Sequence, residues 1–333
     1  MLVVAALGLG VTLAGCGASG SANSITLYSG QHVQTTQSLV AAFKKATGIQ
    51  VNVRSDGENT LADQIVTEGS NSPADVIFAE NSPSLEFLQG RGMLGPVMPS
   101  TLAQVPSQYN SPKGDWVAVS TRVSVIIYNP SRIAASQLPT TVLQLADPRY
   151  TGKIAIAAAE TDFQPIITSV AHTYGRAAAV AWLKGIASNA GSRAYPDNET
   201  VANEVNRGSV AFGVIDQYYW YRMQAEIGKS KMHSQLAYFA PHDPGYVIDV
   251  SGAAVLKSSG HAANAKRFLA FLVSRQGQQI IAHSTSFEYP IAPGVTTAQP
   301  ETPFSQLQPN PISIAELGDG SNAIELLKQA GLL

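Results

Sequence analysis

The sequence predicts an α/β protein of two lobes, each discontinuous in the chain and joined to the other by extended hinge crossings. Three observations predict this. The 333 residues match about two domains on the usual size range, each with its own core. Short apolar or alternating runs take turns with amphipathic stretches, the order of a mostly parallel sheet covered by helices. Two long extended runs, "WVAVSTRVSVIIYNP" at 116–130 and "YVIDVSGAAVLKSS" at 246–259, read as the chain leaving the first lobe and returning to it.

The elements follow in order. "SITLYSG" (24–30) alternates apolar and polar residues as a strand does, and the next stretch sets Leu39, Val40 and Phe43 on one helical face before Gly48 ends it. "IQVNV" is a second strand, "ENTLADQIVTEGS" a second helix and "ADVIFAEN" a third, fully apolar strand. A β-α-β-α-β unit wound in the 2-1-3 order makes strands one and three neighbours, and their C-terminal ends share the sheet edge where ligands bind. That edge carries Tyr28, Ser29, Gly30, Gln31 and His32, with Glu80 and Asn81 opposite. The second lobe repeats the alternation, with a strand and helix over 152–175, a helix over 176–188, a strand-like "SRAYPDN" (192–198) and the run "SVAFGVIDQYYWYRMQAEIG" (209–228). After the return crossing, one long helix is expected over 261–284, with Phe268, Leu269, Phe271 and Leu272 on its apolar side.

Composition narrows the partners. Lys and Arg number 21 against 23 Asp and Glu, and no basic block occurs, which argues against nucleic acid. A single cysteine excludes an intramolecular disulfide. "MLVVAALGLGVTLAGC" is apolar and too short for a spanning helix. It resembles a secretory segment ending in a lipoprotein box, with cleavage before Cys16 and lipid on its thiol, although no charged residue precedes Lys44. The following "GASGSANS" has the composition of a tether.

The chemistry gathers on "DQYYWYR". In the first turn of a helix, Tyr218 and Tyr219 lie about 100° apart and can lean toward one ligand. Phenols titrate near 10, so phenolates at neutral pH need a strong partner such as a trivalent cation. Glu80 ends an apolar strand, where a carboxylate must face a cleft or a partner. One imidazole, one carboxylate and two phenols form a hard donor set that suits Fe(III) better than Zn(II) or Cu(I).

The motifs "LYSGQH", "TGIQV", "PADVIFAEN", "YPDN", "QYYWYR", "VSGAAVLKSS" and "SFEYP" resemble, in that order, the periplasmic ferric-ion-binding proteins of bacterial ABC transporters. The resemblance implies the two-lobed periplasmic-binding-protein fold, Fe(III) as cargo, and His32, Glu80, Tyr218 and Tyr219 as its ligands. It places Arg122 where the family has a basic residue at the first crossing, a site cation if it is not an ordinary surface arginine. Asn198 matches an asparagine that contacts a synergistic anion in relatives. Glu160, Thr161, Asp162 and Asp216 depart from the pattern there, and Asn81 adjoins the same place. Fixed carboxylates repel an exogenous anion. One of them, Glu160 first, is therefore expected to replace that anion, the alternative being acids that face solvent or pair with Arg122 or Arg193.

The resulting expectation is a signal peptide over 1–15, a lipidated tether over 16–23, and a first lobe from 24–123 and 249–299. The second lobe is 124–248, and 300–333 packs on it. The protein is expected as a monomer anchored through Cys16 in membrane lipid at the outer face of the cytoplasmic membrane, serving an ABC permease and its ATPase. Two rivals remain: the same fold carrying an organic ion or a metal chelate, and a hydrolase using Glu80 with Glu160 or Asp162.

Overall fold

The computed structural model describes residues 23–297 and 302–333. The segment read as signal peptide and most of the tether, with Cys16, lie outside the described residues. Strands β1 (Ser24–Ser29), β2 (Gln50–Ser55) and β3 (Val76–Ala79) alternate with helices α1 (Val33–Thr47) and α2 (Glu58–Glu68). They stand in the expected order, with β1 parallel to both β2 and β3. Leu39 and Phe43 bury the inner face of α1, and Gly48 ends it in a left-handed turn at φ 72°. Helices α3 (Ser82–Gly90) and the short α4 (Pro99–Leu102) lead to the first crossing strand, β4 (Val117–Tyr128), buried along its whole length.

The second lobe is built on β5 (Ile154–Ala155), α5 (Gln164–Tyr174), α6 (Arg176–Ala190), α7 (Asn198–Asn206), β6 (Phe212–Asp216), α8 (Gln217–Ile227) and β7 (Gln235–Ala237). Strand β8 (Ile248–Val255) returns antiparallel between β3 and β4. It is followed by α9 (Ala262–Val273), α10 (Arg275–Ala282) and β9 (Tyr289–Pro290), then by α11 (Ile314–Leu317) and α12 (Ser321–Ala330). The described strands run β2-β1-β3-β8-β4-β6-β5, with β7 and β9 also on β4. Strand β4 is the shared spine: β8 pairs with it up to Val123, and β6 pairs with it from Ser124 onward.

Two expectations are corrected. The single helix over 261–284 is two, because Ser274 is extended (φ −66°, ψ 159°) and its Oγ accepts the Gly277 N–H at 3.2 Å, capping α10. Gly277 also lies so close to the Phe271 carbonyl that a Cβ would not fit. The strand-like 192–198 forms only the isolated bridge Ile156↔Ala194. Pro196 removes a ladder donor there, and Asp197 turns to cap α7, accepting the Thr200 N–H at 2.6 Å.

Candidate metal centre

The expected ligands lie at or just before helix starts, Glu80 in the connection from β3 to α3. His32 precedes α1, Asn81 precedes α3, Asn198 opens α7, and Tyr218 and Tyr219 lie in the first turn of α8 just after β6. The abrupt step from an apolar strand to an aromatic helix sets both phenols at the cleft instead of on opposite sheet faces. Helix N-termini carry partial positive charge, which favours anionic donors gathered among them.

The donors form one continuous chain. His32 Nε2 is 3.3 Å from Glu80 Oε1, and the Tyr218 hydroxyl donates to the same oxygen at 2.9 Å. Tyr218 also reaches Asp162 Oδ2 at 3.2 Å, and Tyr219 donates to that oxygen at 2.9 Å and to Glu160 Oε1 at 3.1 Å. His32 Nε2 is buried and makes no hydrogen bond. Glu80, after β3, and Tyr218, at the start of α8, are thus in direct contact although 138 positions apart.

Burial and mutual repulsion favour the neutral forms of the acids in this cluster. Burial, reinforced by Asp162 and Glu80, holds both phenols well above their ordinary range. Burial and then Asp162 push Glu160 up to about 9. Burial raises Glu80 despite His32 and Arg122, and burial with Asp162 raises Asp216 well above the carboxylate range. Acids crowded into a poorly solvated site keep their protons until positive charge arrives.

The remaining candidates separate. Arg122 is not a surface arginine: its side chain is fully buried. Burial opposes its charge, but Glu288 and Glu80 hold it protonated. It pairs with Glu288 and donates to the Glu80 carbonyl and, at 2.8 Å, to Asn81 Oδ1. Asp216 turns its carboxylate toward Arg122 Nε, 4.0 Å away, and stays out of the donor chain. The acids do not all face solvent, since Asp162 and Asp216 are buried. Asp162, not Glu160, takes the central place between the phenols. Its other oxygen accepts Asn81 Nδ2 at 3.0 Å, while Asn198 gives its N–H to Glu160 at 2.8 Å and its amide to Asp162 at 3.3 Å. Thr161 Oγ1 lies 3.4 Å from Asn81 Nδ2.

Sequence reasoning missed Glu288 and Glu58. Glu288 is buried beside Arg122 and accepts from Gln31 and Ser120, each at 3.0 Å. The only local signal was a carboxylate between two aromatic residues in "SFEYP". Glu58 clamps Asn81, accepting its N–H at 2.6 Å and its Nδ2 at 3.0 Å, and nothing in "DGENT" marks that role. A cleft of 530 Å³ opens onto the donor chain, lined by His32, Glu80 and Tyr219 together with Gln31 and Arg222.

Residues 71–313 match the family model described as bacterial extracellular solute-binding protein. The chain belongs to this family. Among relatives of this solute-binding protein is the Fe(3+)-binding periplasmic protein of Serratia marcescens, 36% identical over 319 residues and covering 96% of this chain and 94% of the relative. The major ferric iron-binding protein of Neisseria meningitidis is 35% identical over 310 residues, 92% of this chain and 93% of that protein. Iron-bound HitA from Pseudomonas aeruginosa superposes with a TM-score of 0.87 at 38% identity, covering 93% of this chain and 99% of HitA. Two lobes around a cleft are thus the architecture of this solute-binding protein and of its relatives.

Proposed function

We propose that this solute-binding protein captures Fe(III) between its lobes and delivers it to a membrane permease driven by an ATPase. The observation that carries the reading is the chain of His32, Glu80, Tyr218, Asp162, Tyr219 and Glu160, contributed by both lobes and joined by contacts of 2.9 to 3.3 Å. His32, Glu80, Tyr218 and Tyr219 are the ligands in this reading, and Asp162 supplies the built-in carboxylate that replaces a synergistic anion. Arg122 offsets the surplus negative charge from beneath. The relatives named for ferric iron support the cargo.

Lobe boundaries at 123/124 and 248/249 are part of the proposal, supported by the change of partner along β4. Residues 300–333 are assigned to the second lobe because α12 packs on α5 and α6, while α11 also touches α3. The finer location, a monomer held in the membrane by lipid on Cys16, rests on the sequence motif. A carrier is favoured over a hydrolase because Glu80, Asp162 and Glu160 are engaged by the phenols and none stands free opposite a nucleophile.

Titration of metal-free protein with a weak Fe(III) chelate tests this reading. Expected is one iron per chain and a visible tyrosinate-to-iron band; no band and no retained iron after desalting would overturn it.

A further inference from the structure

Gln217 immediately precedes the tyrosine pair and is fully buried, yet it is neither a donor toward the cluster nor a core residue by chemistry. Its side-chain oxygen accepts the Val123 N–H at 2.9 Å, and its nitrogen donates to the Phe287 carbonyl at 3.0 Å. These partners fix the orientation of the amide, since only one end can accept. Val123 stands where one edge of β4 changes hands: β9 pairs with Ser120 and Thr121, and β6 pairs from Ser124. Gln217 fills the gap between those two pairings. It ties the helix that carries the phenols to the crossing strand and to the segment entering β9.

Phe287 is held in an unusual conformation. Its φ of 57° is left-handed, uncommon for a bulky residue and sustained only when the surroundings enforce it. One face of α8 does so twice, through Gln217 and, one turn later, through Tyr221, whose ring stacks on Phe287 at 6.0 Å and 20°. The next residue is Glu288, the partner of Arg122, which in turn holds Glu80 and Asn81. A path of direct contacts therefore runs from the tyrosine helix through Gln217, Phe287 and Glu288 to the opposite wall of the cleft.

We infer that Gln217 is a positioning residue for iron retention, a strut at the junction of the lobes that fixes the closed placement of Tyr218 and Tyr219 against Glu80. The inference rests on the reading of those tyrosines as iron donors. Its two hydrogen bonds join residues on opposite sides of the proposed boundaries at 123/124 and 248/249, so in this inference they belong to the closed state.

Gln217→Met keeps the side-chain length and removes both hydrogen bonds. Iron-loaded wild-type and variant protein are mixed with excess chelator, and the visible band is followed. Expected is release roughly ten- to hundred-fold faster in the variant, the range for two buried hydrogen bonds, with the band unchanged at saturation and the iron-free melting temperature nearly kept. Equal release rates overturn the inference. So does faster release accompanied by a matching loss of iron-free stability, which assigns Gln217 to the fold alone. Should the variant not fold, exchange of the Val123 amide in wild-type protein decides: it slows on iron loading if the strut belongs to the closed state, and unchanged exchange refutes it. Wild-type protein that takes up no iron is a different result, the failure of the iron-binding reading itself.

Discussion

Tyr218 and Tyr219 stack with ring centroids 4.1 Å apart and planes inclined by 29°. Their hydroxyls converge on a single oxygen of Asp162. Adjacent residues in a helix diverge by about 100°, so this convergence requires a common target on the far side, and Asp162 provides it.

Replacing Tyr218 and Tyr219 together by Phe should abolish the visible band and lower iron affinity at least a hundred-fold, while the fold loses no more than about 1.5 kcal/mol per site. Binding and thermal melts measured on the same sample check both halves. Retained colour in the double variant would remove the phenols from the site.

Asp162→Ala should make tight iron binding depend on added carbonate or phosphate, whereas wild-type protein stripped of such anions should bind without them. Glu160→Ala should have the smaller effect, because Glu160 touches only Tyr219 of the two phenols. Anion-dependent wild-type protein would contradict the built-in carboxylate.

The iron-free protein should lose stability as pH rises. Burial, aided by nearby acids, raises Glu58 to about 8 and Glu160 to about 9, from an ordinary value of 4.5. The folded chain therefore holds protons that the unfolded chain has released, so this stability is complete below about 4.5 and fades through 8 to 9. Iron should reverse the trend, because capture displaces protons from the raised phenols and carboxylates. Melting temperatures from pH 5 to 9, with and without iron, and proton release on loading give the test; a rising iron-free curve would count against it.

Arg122→Met should destabilise the iron-free protein by about 3–5 kcal/mol, the usual loss when one partner of a buried ion pair is removed. Glu288 would be left buried and uncompensated. Urea denaturation measures it, and a loss under about 1 kcal/mol would show that Glu288 finds another partner or a proton.

Local features were determined by the sequence itself. Alternation in 24–30, the helical spacing of Leu39 and Phe43, the stop at Gly48 and the strand-to-helix step before Tyr218 depend on neighbouring residues, so they are readable from neighbouring residues. The 2-1-3 order is the common arrangement of a doubly wound unit and was expected on that ground. The two helices at Ser274 could have been suspected from a serine three residues before a glycine, but the apolar periodicity on either side concealed the break. Tertiary structure alone decided the rest. Arg122 and Glu288 are 166 positions apart, and no local pattern reports a pairing between the first crossing strand and the residue just before β9. Asp162 prevails over Glu160 for the same reason: both stand in the same short loop, and only the turn at Thr161–Phe163, packed against α8, decides which carboxylate lies between the phenols.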